Sequence, residues 1–176
     1  HSIAYRILTQ AEIPRIAEID RSEEIFASYQ YRGNRLVLIE DQVTVTGFDQ
    51  QELDNMLQHQ QQILAQGGKV IAAFENNQIL GAASIENTKR GRNKDYCKLD
   101  ILYVSKHARG KKIGQHLLWK CKAIAVDFGA LKLYISSTPT KGTVDFYLKN
   151  GAVPAKEIDQ ELFEMEPEDI HLEIEL

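Results

Sequence analysis

Lys106, Arg109, Lys111 and Lys112 place four cations within the run Leu102-Tyr103-Val104-Ser105-Lys106-His107-Ala108-Arg109-Gly110-Lys111-Lys112-Ile113-Gly114. An apolar strand pattern stops there in a basic, glycine-containing turn, and an amphipathic helix pattern begins. Such a junction suits an anion. First-turn amides lack an intrahelical acceptor, the helix dipole adds partial positive charge, and glycine lets a phosphate approach the backbone. The run is neither a nucleotide loop, for which GxxxxGK(S/T) is missing, nor a dinucleotide fingerprint, for which GxGxxG is missing. Basic turns also occur as plain solvated surface, and Gly114 could serve helix packing alone, so spacing leaves both readings open.

Other chemistry-bearing residues are sparser. Asp100 shares a strand face with Lys98 by alternation and is either a proton acceptor or a solvated strand acid. His171 falls in an alternating strand, Ile170, Leu172 and Ile174 against His171, Glu173 and Glu175, and is expected on the surface or at a subunit contact. The histidines and acidic runs show no metal-ligand spacing, and Ser105 or Ser136 with a histidine makes no convincing triad, so no metal is expected. Cys97 and Cys121 have no CxxC spacing and read as buried reduced thiols of a cytoplasmic protein.

The elements that must position these residues follow from periodicity. Ile3 to Leu8 reads as a strand, and Thr9 with Glu12 as the start of a helix carrying Ile13, Ile16 and Ile19. Ser22 to Asn34 reads as a helix or loop ending at Gly33, and Arg35 to Phe48 as an extended or hairpin insertion broken at Glu40-Asp41-Gln42. Asp49 caps a Gln-rich helix closed by Gly67-Gly68. Val70 to Phe74, Ile79 to Ile85 and Tyr96 to Val104 read as three antiparallel strands. A helix from Ile113 to Phe128 and a strand from Leu131 to Ile135 then make a right-handed parallel crossover. A short helix, Thr143 to Lys149, precedes strands Ala152 to Ile158 and Ile170 to Leu176, which are joined by an acidic connection through Pro167. The sum is a mixed α/β chain without repeats, expected to form a single domain over residues 1–176.

Composition narrows the function. The 176 residues are 43% hydrophobic and 26% charged, enough for a core without metal or disulfide staples. A formal charge of −4 with pI near 5.8 argues against a nucleic-acid partner, so an anion site must be local. A third reading, with Lys89–Lys94 and Lys106–Lys112 as a nucleic-acid patch, is disfavoured on the same ground. No apolar run reaches the roughly 20 residues of a membrane span, and no secretory h-region is visible at the N-terminus. His1 and Ser2 stand where Met is expected and receive no role.

At this level the sequence resembles a known family. Arg109-Gly110-Lys111-Lys112-Ile113-Gly114 is similar to the pyrophosphate motif Gln/Arg-x-x-Gly-x-Gly/Ala of the GNAT superfamily of N-acetyltransferases, preceded by Leu102-Tyr103-Val104 as in that family. Phe146-Tyr147-Leu148-Lys149-Asn150-Gly151 resembles its Phe-Tyr-x-Lys-x-Gly-Phe segment, and Leu133-Tyr134-Ile135-Ser136 the strand before it. Lys112 departs from the motif's first glycine, and Thr140 stands about where many members carry Asn. Thr138-Pro139-Thr140 and the ending Glu166 to Glu173 resemble a bacterial subgroup of uncharacterised acetyltransferases.

The resemblance implies a mixed, largely antiparallel sheet flanked by helices, the acyl-CoA N-acyltransferase fold. It also implies acetyl-CoA as co-substrate, CoA as product and direct attack by an amine. It assigns Leu102, Tyr103, Val104, Arg109, Gly110, Lys111, Lys112, Ile113, Gly114, Thr138, Phe146 and Lys149 to cofactor binding. Tyr147 becomes the acid for the departing thiolate, the competing reading being a core aromatic with a wet hydroxyl. Asp100 is one candidate base, with Glu23, Glu24 or a water chain as others, because relatives build the acceptor pocket around residues 20–32. Lys98 stands where histone-modifying relatives carry a glutamate, which motivates the alternative of a non-catalytic acyl-CoA-binding module. Tyr29, Tyr31 and Arg32 would line the acceptor pocket or a homodimer surface. The acceptor is expected to be the amine of a small molecule or peptide.

Overall fold

The computed structural model describes residues 2–176, and His1 lies outside the described residues. The chain opens with strand β1 (Ala4–Ile7) and a 3-10 helix (Gln10–Glu18), followed by β2 (Glu23–Arg32), β3 (Arg35–Val45) and helix α1 (Gln50–Ala65). Strands β4 (Lys69–Glu75), β5 (Gln78–Ile85) and β6 (Tyr96–Val104) come next, then α2 (Ile113–Asp127), β7 (Lys132–Ser137) and α3 (Lys141–Lys149). The chain finishes with β8 (Val153–Pro154), α4 (Gln160–Met165) and β9 (Ile170–Glu175). Seven strands form one sheet in the order β1-β4-β5-β6-β7-β9-β8, and β2 and β3 form a separate hairpin. All neighbouring pairs are antiparallel except β6 with β7. This is the mixed, largely antiparallel architecture expected above.

Local chemistry explains the elements. Asp49 caps α1 by accepting from the Glu52 amide at 2.8 Å. The β4–β5 turn uses Asn76 and Asn77 at φ of +49° and +61°, the two left-handed positions of a type I′ hairpin, which asparagine tolerates. Alternation along β4 divides the core. Ile71 and Ala73 join Leu117, Leu118, Cys121 and Ala125 of α2, whereas Val70, Ala72 and Phe74 pack with Ile13 and Ile16 on the opposite face.

Four expectations need correction. Residues 22–34 are not helix or loop: Glu23–Arg32 is a strand paired with β3, in which Tyr29 faces Leu38 and Tyr31 faces Leu36. Cross-strand aromatic and aliphatic pairs add to the packing of Tyr29 and Leu36 on the main core, and the polar residues between them were misleading. The first helix is 3-10, with Pro14 inside it supplying no amide donor. The strand expected over 152–158 shrinks to Val153–Pro154, and the acidic connection holds α4, capped by the Asp159 carboxylate on Leu162 N–H. Finally, His171 and Glu173 are buried rather than surface residues, at 2% and 1% exposure. Tyr96, Tyr134 and Leu162 cluster on that second face of the sheet. Tyr96 donates to Glu173 at 2.6 Å, and the Tyr134 hydroxyl lies 2.6 Å from His171 Nδ1.

Candidate active site

The site begins where two parallel strands separate. β6 pairs with β7 only from Tyr96–Leu99 against Lys132–Ile135. Just beyond, the register with β5 shifts: Ala83 faces Leu102 but Ile85 faces Leu99, so Asp100 and Ile101 together oppose Ser84. This bulge bends β6 away from β7. Ser84 Oγ takes the stray Ile101 amide at 3.3 Å. Ser105 N–H donates to Leu80 O at 2.8 Å, toward β5. By alternation Tyr103 does likewise, so Leu102 and Val104 turn their N–H groups to the side that β7 has left.

Helix α2 starts at the mouth of that gap. Its cap residue is Lys112, at φ of +62° with no capping side chain, and its first intrahelical bond is His116 N–H to Lys112 O at 3.1 Å. The amides of Ile113, Gly114 and Gln115 therefore have no intrahelical acceptor. Gly114 is not demanded by packing, because a Cβ there would meet Phe146 and Leu102 at 3.4–3.6 Å, ordinary contact. Gly110, at φ of +87°, turns the chain ahead of the helix.

Strand and helix open on one cleft of about 860 Å³. Of the residues singled out from sequence, Asp100, Leu102, Tyr103, Val104, Arg109, Gly110, Lys112, Ile113, Gly114, Thr138, Phe146, Tyr147 and Lys149 all line it. Lys111 does not; it is exposed on the turn. Arg109 lines the cleft, yet its guanidinium is held by carbonyls, donating to Val104 O at 3.3 Å and Ser22 O at 3.0 Å. Arg21, Glu23 and Glu24 form part of the other wall, and Gln115 and Asn150, joined at 3.3 Å, tie α2 to α3.

Two titratable groups dominate. Tyr147 is buried, its hydroxyl has no hydrogen-bond partner among the described residues, and burial pushes its pKa well up, so the phenol keeps its proton. Asp100 is the opposite case. Although burial alone would raise its pKa, His59 Nε2 at 3.2 Å and Lys98 Nζ hold its carboxyl well below the usual range, and Gln60 Nε2 also donates to it at 2.8 Å. The Asp100 hydrogen bond in turn raises His59 above its ordinary value. His59, Glu86 and Asp100 bring ligand-type atoms within 4.8 Å of one another, a grouping sequence spacing did not show, but the Lys98 ammonium already supplies the cation. His59 and Gln60 escaped sequence reasoning because they lie 41 and 40 residues from Asp100, on a helix whose pattern signals only amphipathicity.

The remaining candidates are less engaged with the cleft. Cys97 and Cys121 are buried free thiols, with burial pushing Cys121 up to about 12. Arg90, in the basic loop, turns inward to Glu86, Asp159 and Glu161. No helix among the described residues is long and apolar enough to cross a membrane.

A sheet opened between parallel strands above an uncapped helix end defines the class: a mixed α/β protein with a cleft suited to a phosphate-bearing ligand. More particularly, the chain belongs to the acetyltransferase (GNAT) family, whose model matches residues 24–152. Solved structures share the fold at low identity. A putative streptothricin acetyltransferase from Bacillus anthracis, solved with acetyl coenzyme A, is 18% identical over 100% of this chain and 99% of its own, with a TM-score of 0.76. Nourseothricin acetyltransferase is 14% identical over 99% of both chains at 0.74. The PaiA N-acetyltransferase of Thermoplasma acidophilum, in complex with coenzyme A, is 16% identical over 100% of both chains at 0.64. No curated protein matches the sequence.

Proposed function

We propose that the protein is an acetyl-CoA-dependent N-acetyltransferase acting by direct attack of a primary amine of a small molecule or peptide. The observation that carries this is the facing of two unpaired β6 amides and an uncapped α2 N-terminus across one cleft. Bound acetyl-CoA supplies the acyl thioester. The Leu102 and Val104 amides are aimed to hold its carbonyl oxygen as negative charge builds there. The amides of Ile113, Gly114 and Gln115, with the Lys112 ammonium, fit the pyrophosphate. Lys149 lies on the cleft rim, whereas Lys111 contributes only a remote charge. Arg109 is a positioning residue that fastens the end of β6 to Ser22.

Tyr147 is the acid. A phenol held protonated inside the cleft can donate to the departing thiolate, whose conjugate thiol has a pKa of about 8.5. On the acceptor side Asp100 stays ionised. Its carboxylate orients the incoming ammonium, whose proton passes to water in the open cleft, while His59 Nε2 donates to that carboxylate and holds it in place. Glu23 and Glu24 add negative charge to that wall, which favours a cationic acceptor. The buried thiols fit a reducing cytoplasm. The non-catalytic reading keeps one supporting observation, the engagement of Asp100 by three donors, which leaves its carboxylate a weak base.

The test is thiol release from acetyl-CoA against a panel of amines. Wild type is expected to turn over a cationic amine, and Tyr147→Phe to lose about a hundredfold in rate while acetyl-CoA affinity persists. Binding without turnover for any amine favours the module, and absence of acetyl-CoA and CoA binding sinks both.

A further inference from the structure

The sheet face away from α2 carries a hydroxyl and a carboxylate that the chemistry above leaves idle. Cys97, Leu99, Leu133 and Ile135 pack with α2, and Lys98 stands opposite Tyr134, so by alternation Lys98, Asp100, Tyr134 and Ser136 share the other face. Ser136 lines the cleft just beyond the point where β6 and β7 part. Across β7 it faces His171 of β9, and Asp169, two residues ahead of His171, reaches back to it: Ser136 Oγ donates to Asp169 Oδ2 at 2.8 Å. That hydroxyl is the one hydrogen-bond donor to the Asp169 side chain among the described residues, and the carboxylate is half-buried. Asp100, by contrast, is engaged by three donors and keeps little basicity. Of the two carboxylates on this face, one is tied down and the other is available.

We propose that Ser136 and Asp169 form the proton relay of the acceptor side: Ser136 Oγ takes the proton that the amine nitrogen sheds as the C–N bond forms, and passes its own to Asp169. The relay rests on the acetyltransferase reading above. Water in the cleft takes the ammonium proton before attack, and the relay takes the second. As its lone pair bonds to the acyl carbon, the nitrogen becomes cationic and acidic. One N–H proton moves to Ser136 Oγ while the Ser136 hydroxyl proton moves to Asp169 Oδ2, which becomes a neutral acid. The C–S bond breaks, and the thiolate takes the Tyr147 proton. Asp169 then loses a proton to solvent and the Tyr147 phenolate regains one, so both residues return to their starting state. The surroundings of Asp169 suit a base. Burial pushes its carboxyl up to about 6 and Glu166, in the turn ahead of it, adds to the rise, while the Ser136 hydroxyl on β7 and the Lys98 ammonium on β6 hold it down. His171, beside Ser136 on β9, is itself buried, with Nδ1 on the Tyr134 hydroxyl and its pKa lowered by burial, so it stays neutral. A carboxylate of about 6 is ionised at neutral pH yet more basic than an ordinary aspartate, which general-base transfer favours.

Thiol release at saturating acetyl-CoA and amine, measured as a function of pH, tests this. In wild type kcat should fall as pH drops through about 6, where Asp169 gains a proton. Asp169→Asn keeps the shape and an acceptor oxygen for Ser136. It should lower kcat about a hundredfold and erase that acid limb, while acetyl-CoA affinity by calorimetry stays the same. Ser136→Ala should match it, and the double variant should lose no more than either single one, because the two act as a unit. Ser136→Thr, which keeps a hydroxyl, should restore most of the rate. Circular dichroism verifies that each variant folds. An acid limb near pH 6 that persists in Asp169→Asn overturns the relay even where rate is lost, since a structural role alone would leave the limb in place. Wild-type turnover with Asp169→Asn unaltered overturns the relay and spares the transferase reading. A wild type that binds acetyl-CoA but acetylates no amine overturns both.

Discussion

Lys112 carries two opposed requirements on one residue. Its backbone sits at φ of +62°, where a side chain costs about 1 kcal/mol, and its ammonium stands at the helix end that would meet a pyrophosphate. Lys112→Gly is therefore expected to raise unfolding stability by about 0.5–1 kcal/mol in urea while weakening acetyl-CoA binding several-fold. Asp100 is the other pivotal residue. Because His59 is raised above 6.5, its side of the pair contributes stability fully present below pH 6.5 and lost as pH rises through the folded His59 value, while the lowered Asp100 carboxyl contributes stability lost only at acid pH. Asp100→Asn should lower the His59 pKa in an NMR titration. It should also cost about 3 kcal/mol, because Lys98, only 13% exposed, loses its partner. An unchanged His59 titration would dismiss the pair.

Elements set what those residues can reach. The end of β6 is fixed by the β5 residue opposite it: a Cβ at Gly81 would lie 2.8 Å from the Tyr103 carbonyl oxygen and 3.3 Å from Ile113. Gly81→Ala should cost about 1–3 kcal/mol and shift the Leu102 and Val104 amides, so that acetyl-CoA affinity falls more than stability alone explains. Equal affinity in the folded variant would show that those amides do not bind it. The strands β4 to β6, both long helices and the parallel crossover were legible from period, caps and glycines, because each rests on local signals. The parting of β6 from β7 was not, since it depends on a bulge at Asp100-Ile101 created by pairing with β5. The β2–β3 hairpin was missed for a similar reason: of its apolar residues only Ile25 is buried and only Tyr29 and Leu36 pack against the main core, so the apolar pattern along the segment is interrupted by exposed residues. Burial of His171 and Glu173 required the covering by α4, which alternation within one strand cannot reveal.

At the scale of the molecule, charge is divided against itself. The chain is net −4, which repels an anionic ligand at long range, while Lys106, Arg109, Lys112 and Lys149 line the cleft where that ligand would sit. Salt distinguishes the two. At about 0.1 M the screening length is already roughly 10 Å, so repulsion from charges farther away is largely gone and further salt acts mainly on the cations at the open rim. If the overall charge governed association, acetyl-CoA would bind more tightly as salt is added. We expect the reverse, a loss of about threefold between roughly 0.05 and 0.2 M salt, because the local cations attract a concentrated phosphate charge across short distances. Calorimetric titration at several salt concentrations measures this slope, and Lys112→Ala with Lys149→Ala should flatten it. Tyr147→Phe, which removes no charge, should leave the slope as it is, so electrostatic capture at the rim and proton donation at the thioester are separable in one protein.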